Sequence, residues 1–258
     1  MSKQDPLILL TNDDGIHSKG LLALYQSLKE VARIAVVAPF AEQSAVGHAI
    51  TISDPLRVTE LSFNDSDAMY AVHGTPADCV KLAVRALLKE KPDAVLSGIN
   101  IGSNTAINIL YSGTVSAATE GTILGIPSAA ISLASFSFND FSVAAQIGKK
   151  IAGALLEKSL PPDTILNINV PPVHREDITG VCITRQGVSR FKELYDRRID
   201  PHGHTYYWLT GEMRELDEHD PLTDTMALKN NAISITPIKI QLTDEPFIDI
   251  VQSWNISL

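Results

Sequence analysis

Four short polar segments carry the side chains best suited to chemistry. The first is Asn12-Asp13-Asp14-Gly15, placed directly after the apolar run at residues 7–10. Two adjacent carboxylates repel, and burying them together is costly unless a cation compensates. A hard divalent ion does so through oxygen ligands, and Gly15 lets the backbone turn sharply away. The competing reading is that one aspartate caps the following helix and the other is solvated. The second segment, residues 41–48, offers Ser44, whose hydroxyl suits either a metal or a turn. The third, residues 97–104, contains Gly98, Asn100, Gly102 and Asn104. An asparagine oxygen is a suitable hard-metal ligand, although a plain loop explains the segment equally well. The fourth is Tyr111-Ser112-Gly113-Thr114-Val115, where a helix should begin. Free N–H groups at a helix start, with the hydroxyls of Ser112 and Thr114, make an anion site of the kind phosphate occupies. Ser112 also reads as an ordinary helix cap, and one residue can serve both ends.

These segments need a scaffold that gathers them. Residues 7–10, 34–38, 94–97, 128–132 and 165–170 read as buried strands. Helical patterns fall at residues 19–31, from Thr75-Pro76-Ala77-Asp78 to about 89, at 112–125 and at 141–157. Strands separated by helices imply right-handed crossovers and a mainly parallel sheet with helices on both faces, a Rossmann-like α/β architecture. In such sheets ligands collect at the carboxyl ends of the strands, and the first three segments follow strands. After Pro171-Pro172 the pattern changes: residues 181–184, 206–209 and 233–240 read as strands without long helices between them, and 247–254 as a closing helix. We therefore divide the chain into a catalytic core at 1–171 and a β-rich C-terminal extension with a helix at 172–258, suited to packing on another subunit.

Composition narrows the classes. With 21 basic and 30 acidic residues the formal net charge is −9, which argues against coating a nucleic-acid polymer. It leaves room for a small phosphorylated substrate at a locally positive site. Cys79 and Cys182 fit no metal spacing and read as buried free thiols of a reducing compartment. The apolar stretch at 114–136 is interrupted by Glu120 and Pro127, so no membrane span is expected. The run before Thr11 is too short for a signal peptide, and a cytoplasmic enzyme is the expectation. His17, His48 and His73 lie near the polar segments without zinc-motif spacing, and no Walker sequence, dinucleotide fingerprint or serine-esterase elbow is present.

Taken in order, several motifs resemble the SurE family of survival-protein nucleotidases. They are Leu9-Leu10-Thr11-Asn12-Asp13-Asp14-Gly15-Ile16, Gln43-Ser44-Ala45, Gly74-Thr75-Pro76-Ala77-Asp78-Cys79-Val80, Ser97-Gly98-Ile99-Asn100 through Asn104, and Tyr111-Ser112-Gly113-Thr114-Val115. Residues 165–171 and 234–237 add weaker echoes. The resemblance implies a C-terminal extension exchanged between subunits of a homodimer or homotetramer. It implies hydrolysis of nucleoside 5′- and 3′-monophosphates, with activity on short polyphosphate. By motif, Asp13, Asp14, Ser44 and Asn100 would hold magnesium or manganese, while Asn104, Ser112, Gly113 and Thr114 would surround the phosphate. Residues 185–225 match no motif, which leaves substrate preference open.

The chemistry expected is metal-assisted attack of water on a phosphoryl group, with Asp13 or Asp14 orienting or deprotonating the water. No general acid is legible, and His48 is the one suggestion. Two rivals remain at this level: a nucleotide-binding or sensing protein that does no chemistry, and a nicotinamide-dependent oxidoreductase, which the missing glycine fingerprint disfavours.

Overall fold

The computed structural model describes residues 5–61, 68–214, 216–217 and 219–256. Its strands are β1 (Leu7–Thr11), β2 (Arg33–Pro39), β3 (Arg57–Leu61), β4 (Ala68–His73), β5 (Ala94–Ile101), β6 (Ser128–Leu133), β7 (Thr164–Val170), β8 (Gly180–Ile183), β9 (Arg190–Ile199), β10 (Thr205–Arg214) and β11 (Ala232–Lys239). The α-helices are α1 (Lys19–Leu28), α2 (Pro76–Leu82), α3 (Gly113–Ile123), α4 (Ser142–Glu157), α5 (Asp224–Lys229) and α6 (Glu245–Gln252).

Nine strands form one sheet in the order β3-β4-β2-β1-β5-β6-β7-β11-β8. Strands β4, β2, β1, β5, β6 and β7 run parallel, as the alternation of strands and helices requires. The chain leaves β1 toward β2 on one side and later returns to β5 on the other, so the winding reverses between β1 and β5. That reversal opens a crevice at the carboxyl ends of these two strands.

Side-chain alternation sorts the two faces. Ile8, Leu10, Leu96 and Ile131 pack with Leu21, Leu24 and Leu28 of α1 and Ile151 and Leu155 of α4. On the other face Leu7, Leu9 and Val95 pack with Cys79 and Val80 of α2 and Ala117 of α3. A strand whose successive residues are all apolar must be covered on both sides, and β1 is buried throughout.

Local signals read from the sequence hold at most ends. Thr75 and Asp78 form a capping box with Pro76 at the helix start, although α2 stops at Leu82 and continues as a π turn over Ala83–Leu87. The helix expected to reach residue 31 ends at Leu28, and the strand expected at 94–97 extends to Ile101. The antiparallel edge strand β3 and its neighbour β4 were not anticipated. Neither was β9, whose exposed, charged sequence hides its strand character. Strands β8 and β11, both from beyond residue 171, complete the main sheet, with β11 antiparallel to β7. Cys79 is buried and free as expected; Cys182 is also free but half-buried, because β8 is an edge strand. Among the described residues no helix is long and apolar enough to cross a membrane.

Candidate active site

The crevice between β1 and β5 receives the aspartate pair from one strand and Asn100 from the other, since Thr11 and Ser97 are register partners. The turn after β1 is stapled by Asn12, whose Nδ2 donates to Gly15 O at 3.0 Å and to Ser18 Oγ at 2.7 Å. Ser18 in turn caps α1 by accepting from Leu21 N. Neither aspartate is therefore needed as a cap, and the alternative reading of the pair falls away.

Asp13 and Asp14 are bonded to all three of the other polar segments. Asp13 Oδ1 accepts from Thr114 Oγ1 at 2.5 Å, at the start of α3. Asp14 Oδ2 accepts from Ile101 N at 3.3 Å, at the end of β5. The carbonyl of Asp13 accepts from Gln43 N at 2.8 Å, in the loop that carries Ser44. Gly113 is what allows α3 to approach. A Cβ there would stand 2.8 Å from Asp13 Cβ and 2.9 Å from its Oδ2, closer than carbon and oxygen pack without displacement.

The electrostatics are those of a like-charge pair without a counter-ion. Burial, followed by the charge of Asp13, pushes the Asp14 carboxyl up to about 7. Asp13 is raised as well, chiefly by burial, against the lowering effect of the Thr114 hydroxyl. Glu42 adds negative charge to both, and among the described residues no cationic side chain is a cause of either shift. Glu42 was not singled out from the sequence. It sits beside the site because Ser44 Oγ donates to Glu42 Oε1 at 2.6 Å.

The remaining residues are placed as follows. Asn100 commits its Nδ2 to Gly102 O at 2.8 Å, leaving Oδ1 as the end able to ligate a cation. Ser44 is exposed in its loop, next to Ala45 with φ of 57°, an uncommon conformation for a residue bearing a Cβ. Asn104 is anchored by its backbone: its N–H donates to Asn169 Oδ1 at 2.8 Å and its carbonyl accepts from Asn167 and Asn169. Its Nδ2 gives one hydrogen to Ser132 Oγ at 2.9 Å, which leaves the second for a ligand. Ser112 Oγ accepts from Val115 N and so caps α3, with its own hydrogen still available to donate. Thr114 spends its hydroxyl on Asp13.

Do these residues fit a metal? Among the described residues no group of three or more His, Cys, Asp or Glu side chains could hold one. The donors here are two carboxylates, an amide oxygen and a hydroxyl, all hard oxygens, which is the set magnesium or manganese prefers. A buried and a half-buried carboxyl with no positive partner among the described residues supply the electrostatic demand. The residues fit.

The family model described as survival protein SurE matches residues 8–193. The chain belongs to the SurE family. A 5′-nucleotidase SurE of Syntrophobacter fumaroxidans is 50% identical over 249 residues, covering 96% of this chain and 99% of that protein. One from Moorella thermoacetica is 51% identical over 239 residues, covering 92% of each. The crystal structure of the SurE protein from Aquifex aeolicus superposes with a TM-score of 0.85 at 40% identity, covering 97% of this chain and 100% of that one. The SurE match thus spans both the winding reversal and all four polar segments.

Proposed function

We propose that this SurE-family chain is a divalent-metal-dependent phosphomonoesterase that hydrolyses nucleoside 5′-monophosphates, and also 3′-monophosphates and short polyphosphate. The observation that carries the reading is the aspartate pair, bonded to the phosphate-type helix start, the Asn100 strand end and the Ser44 loop at once. The relatives named 5′-nucleotidase support the substrate class.

Asp13, Asp14, Ser44 and Asn100 would hold one magnesium or manganese ion, which supplies Lewis-acid polarisation of a phosphoryl oxygen. Thr114 keeps Asp13 oriented. Asp14, the less buried of the pair, orients the attacking water and takes its proton at a carboxylate oxygen. Phosphoryl oxygens are bound by the Gly113 N–H at the start of α3, by the Ser112 hydroxyl and by the second hydrogen of Asn104 Nδ2, since the N–H groups of Thr114 and Val115 are taken by Asp13 and Ser112.

The exposed apolar residues of β9, β10, α6 and the turn after it, among them Tyr195, Tyr207, Trp208, Leu209, Phe247 and Trp254, support assembly as a homodimer or homotetramer. A cytoplasmic location goes with the paired reading of free thiols and a nucleotide substrate.

Phosphate release from adenosine 5′-monophosphate, measured before and after chelation and after adding back manganese, tests the proposal. Release that stops on chelation and returns with metal is expected. Turnover indifferent to chelation would remove the metal from the reading; no release under any condition would leave a binding protein.

A further inference from the structure

Glu120 is a buried carboxylate, 2% exposed, on α3. It lies about two helical turns, or ~10 Å of rise, past Gly113. Its Oε2 meets His48 Nε2 at 3.0 Å, and its Oε1 lies 2.8 Å from Lys81 Nζ of α2 in an ion pair. Burial alone would raise this acid, but the hydrogen bonds and charges of His48 and Lys81 outweigh it and hold it below the usual range. An ionised Glu120 accepts, so Nε2 carries a hydrogen and Nδ1 is the ring nitrogen left for another partner.

The backbone around His48 is strapped across the starts of two helices. Gly47 N donates to Tyr111 O at 3.1 Å, just ahead of α3. Ala49 O accepts from Thr75 Oγ1 at 2.7 Å, at the cap of α2. Thr51 then donates from N and Oγ1 to Asp78 at 2.9 and 2.6 Å. The two helix starts touch, since Pro76 Cγ would lie 3.1 Å from a Cβ on Gly113. The backbone on either side of His48 is thus tied to the starts of α2 and α3, while its ring reaches along α3 to Glu120, with the side chain one-third exposed at 33%. The charged groups facing it are Glu120 from α3 and Lys81 from α2, with Asp78 of α2 reached through Thr51.

We propose that His48 is the proton donor to the departing nucleoside oxygen, with Glu120 and Lys81 as positioning residues. The inference rests on the phosphomonoesterase reading. As the bond from phosphorus to the nucleoside oxygen breaks, its electron pair stays on that oxygen, which takes the Nδ1 proton of the imidazolium. The water oxygen forms the new bond to phosphorus and releases a proton, and the imidazole regains one from solvent. Ester and water become nucleoside and phosphate. A nucleoside alkoxide is a strongly basic leaving group and needs this proton, whereas a nitrophenolate hardly does.

The test compares adenosine 5′-monophosphate with p-nitrophenyl phosphate in the wild type and in His48→Gln, His48→Ala and Glu120→Gln, with saturating manganese. In the His48 variants kcat for the nucleotide should fall ~10²-fold or more while the nitrophenyl ester changes by less than about threefold. Glu120→Gln should give a smaller fall in nucleotide kcat at unchanged KM. If the alanine variant does not fold, as judged by its melting curve, the glutamine variant carries the same comparison. Equal losses on both esters in folded protein would reduce His48 to a structural strap, and an unchanged nucleotide rate would dismiss it altogether. A wild type that hydrolyses neither ester would overturn the phosphomonoesterase reading itself, a result separable from either of these.

Discussion

The edge of the sheet at β1 and β5 and the β9–β10 hairpin treat polarity in opposite ways. At the edge, polar groups are buried: Asp13, Asn100, Asn104, Ser112 and Thr114 are all 9% exposed or less. Beside them Thr11 Oγ1, Asn12 Oδ1 and Ser97 Oγ are buried without a hydrogen-bond partner among the described residues. On the hairpin, apolar groups are exposed: Leu194, Tyr195, Tyr207, Trp208 and Leu209 stand between 53% and 64% accessible. Each arrangement is unfavourable in an isolated chain, since buried carboxylates want a cation and exposed aromatic surface wants cover. Under the proposed function, a small ion would meet the first deficit and another protein surface the second. The pairing teaches that incompleteness of opposite kinds marks ligand sites and assembly sites.

The contrast can be broken most forcefully at Asp13. Asp13→Asn should lower phosphate release on the order of 10³-fold while the melting temperature of the metal-free protein holds or rises, because an unpaired charge is removed. Wild-type turnover in that variant would end the assignment. Gly113→Ala comes next, because its methyl group must displace Asp13 or the start of α3. A loss of ~10²-fold in kcat is expected from misplacement of that size, and full activity would show that the close approach is irrelevant.

The Asp14 carboxyl, pushed up to about 7, makes a finer prediction. Below that pH the folded protein holds a proton that a cation must displace; above it, none. Manganese should therefore bind about tenfold more tightly at pH 8 than at pH 6, and equal affinity by calorimetry would contradict the electrostatic account. The same raised acid has a sign for folding. In metal-free protein its contribution is present below 3.8 and is lost as pH climbs toward 7, so stability should decline across that window and be restored by metal. The smallest effect belongs to the hairpin. Leu209→Asp should alter the stability of the single chain by no more than about 0.5 kcal/mol, yet shift the sedimentation profile to a smaller species. An unchanged profile would detach the hairpin from assembly.

Much of this was legible beforehand where one residue type at one place answers one demand. The capping box at Thr75 and Asp78, the glycine turn after Asp14 and the serine at the start of α3 are short-range signals, carried by neighbours three residues apart. Glu42, Glu120 and Asp224 were not singled out as interacting residues. A lone glutamate inside an apolar helix looks like a solvated position until the fold brings His48 and Lys81 to it. Asp224 is likewise invisible until Ala106 N and Gly187 N donate to it across the chain at 3.0 and 2.9 Å. Strand β9 was missed because its pairing with β10, not its composition, makes it a strand.

The order of residue types along the chain was enough to specify the parallel sheet and the helix starts, since these follow from periodicity and local chemistry, whereas Asp13, Asp14, Ser44 and Asn100 stood together as a metal set only through the resemblance of their motifs to the SurE family. Only the folded molecule decided that the winding reverses between β1 and β5, that Thr114 belongs to Asp13, and that Glu120 holds His48. Those are contacts between segments far apart in the chain, and their energies depend on distances that no local pattern encodes.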